Sequence, residues 1–275
     1  MSRRAARRPP KLDDVRAVAA PRSRRTPTSR SQLVRAHVFG RHDRLGGAEV
    51  QSVMRRVVAG DPSALLGMER IPGLSIDDLA EVARSIWGWD LGDPGGSIDP
   101  DLGLAAFSRA RARVLDVARR GGRIALGTTR PASLLGLHLG FARLARTEGA
   151  DVLEVPQAGP FATARRPRVR CWWIDGVAVV TDGEALLADP APEAAREMLF
   201  DLPPPDLVVG DRGIAGGAAA AGIEVVALAD LDAIALGLGA ARGLPVTVVP
   251  LQDHRPPSAY APLVRMLSLE ASPTS

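Results

Sequence analysis

The chain has 275 residues, of which 46% are hydrophobic and 24% are charged. These are ordinary values for a globular protein, so the composition excludes a chain that is disordered throughout. No apolar run reaches the ~18–20 residues of a membrane-spanning helix, and a single cysteine, Cys171, excludes an internal disulfide and a cysteine-rich zinc module. A lone cysteine is typical of a reducing compartment, so we expect a cytoplasmic protein without membrane contact.

Positive charge is concentrated at the N-terminus. Residues 1–44 carry a formal charge of +10, whereas the other residues together carry −6. Residues 1–30 are rich in Arg, Pro, Ser and Thr and contain no aromatic residue, which predicts a disordered, Arg-rich tail. A fold that binds nucleic acid should carry its excess charge on the folded body, so this distribution argues against that class. Nonspecific contact of the tail with nucleic acid or anionic lipid is the alternative to a solvated extension, which the composition favours.

The sequence pattern of residues 31–97 predicts a helical region that packs on the rest of the folded chain. Apolar residues recur at helical spacing from Ala48 to Ala59, and again after a predicted cap at Ser75. A loop rich in Gly and Pro, residues 92–97, marks the boundary with the next domain.

Residues 98–275 alternate between predicted helices and short apolar strands. This alternation predicts parallel βαβ units with right-handed crossovers. Asp175-Gly176 between two β-rich runs also predicts a hairpin. We therefore expect an α/β domain: a doubly wound, Rossmann-like, mostly parallel sheet of about five strands with an added hairpin. The predicted parallel strands are 123–127, 151–155, 206–210, 223–228 and 245–249.

Open parallel sheets bind ligands at the carboxyl ends of their strands, and polar residues follow several strands here. Thr128, Thr129, Arg130 and Ser133 come after the first strand, where a helix begins. Hydroxyl groups, a guanidinium and a helix N-terminus together suit a phosphate. The alternative is a capped turn with a surface arginine.

The sequence Asp211-Arg212-Gly213 follows another strand. A carboxylate in this position is placed to bind a metal ion or a ribose hydroxyl, or to act as a general base, and Gly213 allows a close approach to the backbone. Asp230 and Asp232 follow the next strand and could hold a divalent ion together. The alternative for each of these carboxylates is a helix cap or a first-turn acid.

Two further residues are candidates for acid or base catalysis. Asp253 follows the last strand, and His138 lies in the helix after Thr129. The alternative for His138 is a packed or surface histidine.

Three segments share their order with the motifs of a known family. Residues 123–131 read RIALGTTRP, residues 205–213 read PDLVVGDRG, and residues 248–253 read VVPLQD. They resemble the ATGHP turn, the PDLVVADHG segment and the VPLDD segment of an actinobacterial family labelled phosphatase. The resemblance extends over about residues 55–265.

Four chemical positions depart from the family pattern. Arg130 and Arg212 stand where the family has histidine, Asp232 begins the segment that replaces its Asn-Asp-Pro, and Gln252 replaces the first Asp of its Asp-Asp pair. A guanidinium binds phosphate well but cannot exchange a proton at neutral pH.

The resemblance implies a phosphatase-like hydrolase that acts on a small phosphorylated metabolite. We expect Thr128, Thr129, Arg130, Ser133, Arg212 and Gly213 to bind the ligand, and Asp211, Asp253 and His138 to be catalytic. Asp211, Asp230 and Asp232 would hold a divalent metal, Mg²⁺ or Mn²⁺. The alternative is a catalytically degenerate paralogue that binds a small molecule or regulates a partner.

Overall fold

The computed structural model describes residues 29–155 and 157–268, so the predicted tail lies outside the described residues except for its last two positions. None of the described helices is both long and apolar enough to cross a membrane. The helices are α1 Ser29–Arg35, α2 Gly47–Ala59, α3 Pro62–Leu65, α4 Ile76–Trp87, α5 Pro100–Arg119, α6 Pro131–Thr147, α7 Glu193–Phe200, α8 Arg212–Ala220, α9 Ile234–Ala241 and α10 Ala261–Ser268. The strands are β1 Gly40–Gly46, β2 Gly95–Ile98, β3 Arg123–Thr128, β4 Asp151–Leu153, β5 Ala158–Phe161, β6 Val169–Ile174, β7 Val177–Thr181, β8 Leu207–Asp211, β9 Val225–Ala229 and β10 Val246–Pro250.

The main sheet is mixed and mostly parallel, which confirms the predicted α/β class. Its strand order is β10-β9-β8-β3-β7-β6-β5. Strands β4 and β7 share one flank of β3: the first half of β3 pairs with β4 and the second half pairs with β7, both in parallel. The strands at the centre are almost fully buried, as the apolar runs in the sequence indicate.

The expected five strands with an added hairpin were wrong, because the described sheet has eight strands. The hairpin itself forms, with Ile174 paired to Val177 across Asp175-Gly176. Its second strand, however, is an inner parallel neighbour of β3 rather than an addition at the edge. Strand β5 went unpredicted because it contains Gly159 and Pro160, which weaken any strand pattern.

Two sets of helices pack on the sheet. Helix α6 contacts both α5 and α10, and it lies against β3, β4 and β7. Helices α7, α8 and α9 form the second set, with α8 against β8 and β9. The order of strands reverses at β3 and β8, since β4 and β7 lie on one side of this pair and β9 and β10 on the other. A crevice at the carboxyl ends of β3 and β8 is the expected ligand site of such a sheet. The doubly wound, Rossmann-like arrangement itself stays a prediction.

The N-terminal region contains more than the predicted helices. Strands β1 and β2 form a two-stranded antiparallel sheet. Helix α4 begins at a capping box in which the Ser75 hydroxyl accepts a hydrogen bond from the Asp78 amide and the Asp78 carboxylate accepts one from the Ser75 amide. The indole Nε1 of Trp87, at the end of α4, donates to the carbonyl of Ala229 at 3.1 Å. The region is thereby joined to the carboxyl end of β9.

Candidate active site

Asp211, the last residue of β8, organises the turn after β3. Its fully buried carboxylate accepts hydrogen bonds from the hydroxyls of Thr128 and Thr129, both at 2.5 Å, and from the Thr129 amide at 2.9 Å. The Thr128 hydroxyl oxygen in turn accepts a hydrogen bond from the Arg130 amide at 2.9 Å. The two hydroxyls expected to bind a ligand are therefore directed at Asp211, and the network fixes the backbone that carries Arg130.

Arg212 follows directly and forms a buried double ion pair. Its Nε lies 2.7 Å from Oδ2 of Asp253, and its Nη2 lies 2.6 and 2.8 Å from the two oxygens of Asp232. Burial lowers the pKa of the guanidinium, but Asp253 and Asp232 outweigh burial and raise it. The backbone of Arg212 has a φ of 41°, in the left-handed region that costs a non-glycine residue roughly 1–2 kcal/mol. The sharp turn between β8 and α8 brings this side chain back over the sheet edge.

Asp253 lies between two guanidinium groups. Oδ2 of Asp253 is 2.7 Å from Arg212 and 3.6 Å from Nε of Arg130. Burial raises the pKa of Asp253 to about 6, although Arg212 acts in the opposite direction. Nearby Asp230 and Asp232 add to the upward shift.

Asp230, after β9, is held by a histidine from the N-terminal region. The backbone amides of Arg44 and Leu45 donate to Nδ1 of His42 at 3.0 and 2.9 Å. Because Nδ1 accepts, the ring proton lies on Nε2, which donates to both oxygens of Asp230 at 2.9 and 3.0 Å. Burial by itself would raise the pKa of Asp230, but hydrogen bonds from His254 and His42 outweigh it and lower the pKa.

His254 completes the cluster. Its Nδ1 lies 3.5 Å from Asp230, its Nε2 lies 2.8 Å from Oδ1 of Asp43, and its ring stacks on His42 with centroids 5.0 Å apart. Burial lowers the pKa of His254, but the hydrogen bonds to Asp230 and Asp43 outweigh it and the pKa is raised. The hydroxyl of Tyr260 anchors this loop, because it donates to the Gln252 carbonyl at 2.6 Å and accepts from the Arg255 amide at 3.1 Å.

Two sets of side chains have the spacing of a metal site. In each set the ligand atoms lie within 4.8 Å of one another: Asp230 with Asp253 and His254, and His42 with Asp43 and His254. Of the residues predicted to bind metal, only Asp230 belongs to such a set within the described chain. Asp211 is occupied by the two threonines and Asp232 by Arg212. Two carboxylates and an imidazole suit a transition ion such as Mn²⁺ better than Mg²⁺.

Two adjoining cavities open at this edge of the sheet. The smaller, about 60 Å³, is lined by five acidic and histidine residues, called below the acidic and histidine cluster: His42, Asp230, Asp232, Asp253 and His254. The larger, about 200 Å³, is lined by four arginines together with Ser63 and apolar side chains. Arg130, Arg212 and Asp232 line both cavities. The arginines of the larger cavity are Arg56, Arg130, Arg165 and Arg212.

Six predicted site residues do not line these two cavities: Thr128, Thr129 and Asp211, which form the network described above, and Ser133, His138 and Gly213. A Cβ on Gly213 would lie 2.2 Å from the Pro190 carbonyl oxygen, so the absence of a side chain lets that loop cross the start of α8. Ser133 is half-buried in the first turn of α6. His138 is fully buried; its Nδ1 bonds to the Leu134 carbonyl at 3.1 Å, and its Nε2 has no partner within the described residues. Their predicted roles in ligand binding and catalysis stay predictions.

Several residues of the candidate site could not be identified from the sequence. His42 and Asp43 lie in a short, charged strand far from the sheet in sequence, and 188 residues separate His42 from Asp230. Arg56 and Arg165 belong to a chain in which surface arginines are common. His254 differs from these residues, because it follows Asp253 at a strand end, where the sheet rule indicates a site.

Comparisons with known proteins show the family of this chain. The chain is 33% identical over 181 residues to Phosphatase SCO2771 of Streptomyces coelicolor, an alignment that covers 64% of this chain and 67% of that protein. A family model described as Phosphatase matches residues 26–273. The chain therefore belongs to the Phosphatase family.

Proposed function

We propose that this protein hydrolyses the phosphomonoester of a small metabolite, with the phosphate bound where the two cavities meet. The observation that carries the proposal is that Arg130 and Arg212 line both cavities. A phosphate between these two guanidiniums would adjoin the acidic and histidine cluster on one side and leave room for the rest of the substrate on the other. A cavity of about 200 Å³ lies below the ~300–1,000 Å³ of a typical ligand pocket, which favours a small substrate.

Charge neutralisation is the main demand that phosphoryl transfer makes on a protein. Arg130 would bind the nonbridging oxygens directly, because its side chain is a quarter exposed and its one ion-pair contact within the described residues, to Asp253, is long at 3.6 Å. Arg212, which Asp232 and Asp253 hold in place, would place a second guanidinium next to the phosphate. His42 would orient Asp230 through its Nε2 proton. These fixed groups need no rearrangement as the phosphoryl charge develops.

A divalent ion is the second part of the proposal. Asp230, Asp253 and His254 would hold it, since their ligand atoms lie within 4.8 Å of one another. When bound, such an ion supplies positive charge to the phosphoryl oxygens and makes water more acidic.

Phosphate release by the full chain tests the proposal. We expect the chain to release phosphate from short-chain phosphomonoesters when Mn²⁺ or Mg²⁺ is present. Addition of EDTA should abolish this activity. Replacing Arg130 with alanine should lower kcat/KM by a factor on the order of 100. The matched control is Arg143→Ala, an exposed arginine in α6, the helix that follows Arg130; this variant should leave kcat/KM unchanged. An Arg130→Ala variant with wild-type kinetics would overturn the proposed phosphate site.

One observation favours a second candidate, a family member that binds a phosphorylated molecule without hydrolysing it. The guanidinium of Arg212 lies between Asp232 and Asp253 and already neutralises them. This places a fixed cation beside carboxylates that could otherwise bind a metal ion. Calorimetric binding of phosphomonoesters by a chain that releases no phosphate with either metal would select this candidate.

A further inference from the structure

The larger cavity is lined by more guanidinium groups than one phosphate site requires. Besides Arg130 and Arg212, which also line the smaller cavity, it is lined by Arg56 and Arg165, which do not. A phosphate placed beside the acidic and histidine cluster therefore leaves two further arginines on the wall that faces the non-reacting part of the substrate. The chemistry of that wall indicates what this part of the substrate carries.

Arg56 is held in a defined orientation. It lies in α2, and its Nε donates to Oδ2 of Asp61 at 2.7 Å, while its Nη2 donates to the hydroxyl of Ser63. Asp61 also caps α3 by accepting from the Ser63 amide at 2.9 Å. Both Arg56 and Ser63 line the cavity, so a guanidinium and a hydroxyl stand side by side on this wall.

Arg165 approaches from the loop between β5 and β6. The loop is fixed by Thr163, whose hydroxyl donates to Oδ2 of Asp189 at 2.7 Å and whose oxygen accepts from the amides of Arg165 and Arg166 at 3.3 and 3.1 Å. Within the described part of the chain, the Arg165 side chain forms no ion pair with a carboxylate. Its charge is available to a ligand, and a guanidinium suits either a phosphate or a carboxylate.

We propose that the substrate carries a second, non-reacting anionic group, which Arg56 and Arg165 bind at the far wall of the larger cavity. The inference rests on the proposed function, because that function places the reacting phosphate at Arg130. The substrate class is thereby narrowed to small metabolites with a phosphomonoester at one end and a phosphate or carboxylate at the other.

Three compounds of equal chain length test the proposal: a short-chain diol monophosphate, the corresponding bisphosphate, and the corresponding phosphorylated carboxylic acid. We expect kcat/KM of the full chain to be at least about tenfold higher for one of the two doubly anionic compounds than for the monophosphate. The compound that is preferred identifies the second group as phosphate or carboxylate. Equal values for all three compounds would overturn the inference and leave the proposed function standing.

Arginine variants test whether the preference for doubly anionic compounds arises from Arg56 and Arg165. Arg56→Ala and Arg165→Ala should each reduce the preference by about tenfold, the loss expected for one charge-assisted hydrogen bond. The matched controls are the exposed neighbours Arg55→Ala and Arg168→Ala, which do not line the cavity and should keep the preference. A preference that survives both cavity substitutions would contradict the assignment.

Binding measurements distinguish a failure of the second anion site from a failure of the proposed hydrolase function. If the chain hydrolyses none of the three compounds, the same comparison is made with dissociation constants from calorimetry. Tighter binding of a doubly anionic compound that Arg165→Ala abolishes would support the second anion site while the hydrolase proposal fails. Equal dissociation constants would overturn the second anion site as well.

Discussion

Nε of Arg212 lies 2.7 Å from Oδ2 of Asp253, and both side chains are almost completely buried. This ion pair joins the start of α8 to the loop after β10, and Asp232 extends it to the segment after β9. Three carboxyl ends of the sheet are thus tied together by one guanidinium. Because a buried charge without a partner is costly, the stability of this edge of the sheet should depend on Arg212.

Arg212→Ala should lower the free energy of unfolding by about 3–5 kcal/mol, because it removes the nearest cation from buried Asp253 and from half-buried Asp232. Urea denaturation at neutral pH measures the loss. Arg212→Gly is the control for the backbone: glycine adopts the φ of 41° without strain, so this variant should be more stable than Arg212→Ala by about 1 kcal/mol. Equal stability of the two variants would contradict the account of the turn.

Asp211→Asn should destabilise the turn after β3. The amide offers one acceptor oxygen where the carboxylate accepts from two hydroxyls and one backbone amide, so at least one buried donor loses its partner. We expect a loss of about 1–3 kcal/mol in the free energy of unfolding and a higher KM, since the same turn carries Arg130. A variant with wild-type stability and reduced kcat alone would instead indicate that Asp211 acts in the chemical step.

Tyr260→Phe should loosen the loop that carries Asp253 and His254. The substitution removes the hydroxyl that bonds to the Gln252 carbonyl and the Arg255 amide, while the buried ring remains. A loss of about 1–3 kcal/mol in the free energy of unfolding is expected. Hydrogen exchange at the amide of Arg255 should also become faster, and unchanged exchange there would count against the anchoring role.

Buried His138 should make the free energy of unfolding depend on pH in the acidic range. Burial lowers the pKa of this imidazole below its ordinary value of about 6.5, and nearby Asp211 offsets part of the shift. Below that value the unfolded chain binds a proton that the folded chain does not, so the free energy of unfolding falls by up to about 1.4 kcal/mol per pH unit. We expect the free energy of unfolding, measured by denaturation between about pH 5 and pH 7, to change less with pH in His138→Gln than in the wild-type chain. Identical slopes would contradict the assignment to His138.

Local signals in the sequence predicted most of the main sheet. The apolar run of β8 and the Asp-Gly turn between β6 and β7 act over a few residues, and both elements form where they were expected. Strand β1 went unpredicted because four of its seven residues, Arg41 to Arg44, are charged or histidine, and because its partner β2 lies about fifty residues later. Pairing over that distance leaves no periodicity to detect.

The candidate site was predictable only in part, and for the same reason. The rule that ligands bind at the carboxyl ends of parallel strands led to Arg130, Arg212 and Asp253, which the structure brings together. The rule says nothing of residues that reach the edge from other layers. His42 comes from the N-terminal sheet, and Arg165 comes from the loop after β5. Their contribution depends on tertiary packing, which a single sequence does not encode locally.

The position of the bound anion tests the central claim most directly. A crystal structure of the full chain with tungstate, a heavy analogue of phosphate, would locate the anion by its anomalous scattering. The account predicts tungstate at the junction of the two cavities, within hydrogen-bond distance of the Arg130 guanidinium. Tungstate bound away from Arg130 and Arg212, or no bound tungstate at concentrations that inhibit phosphate release, would contradict it.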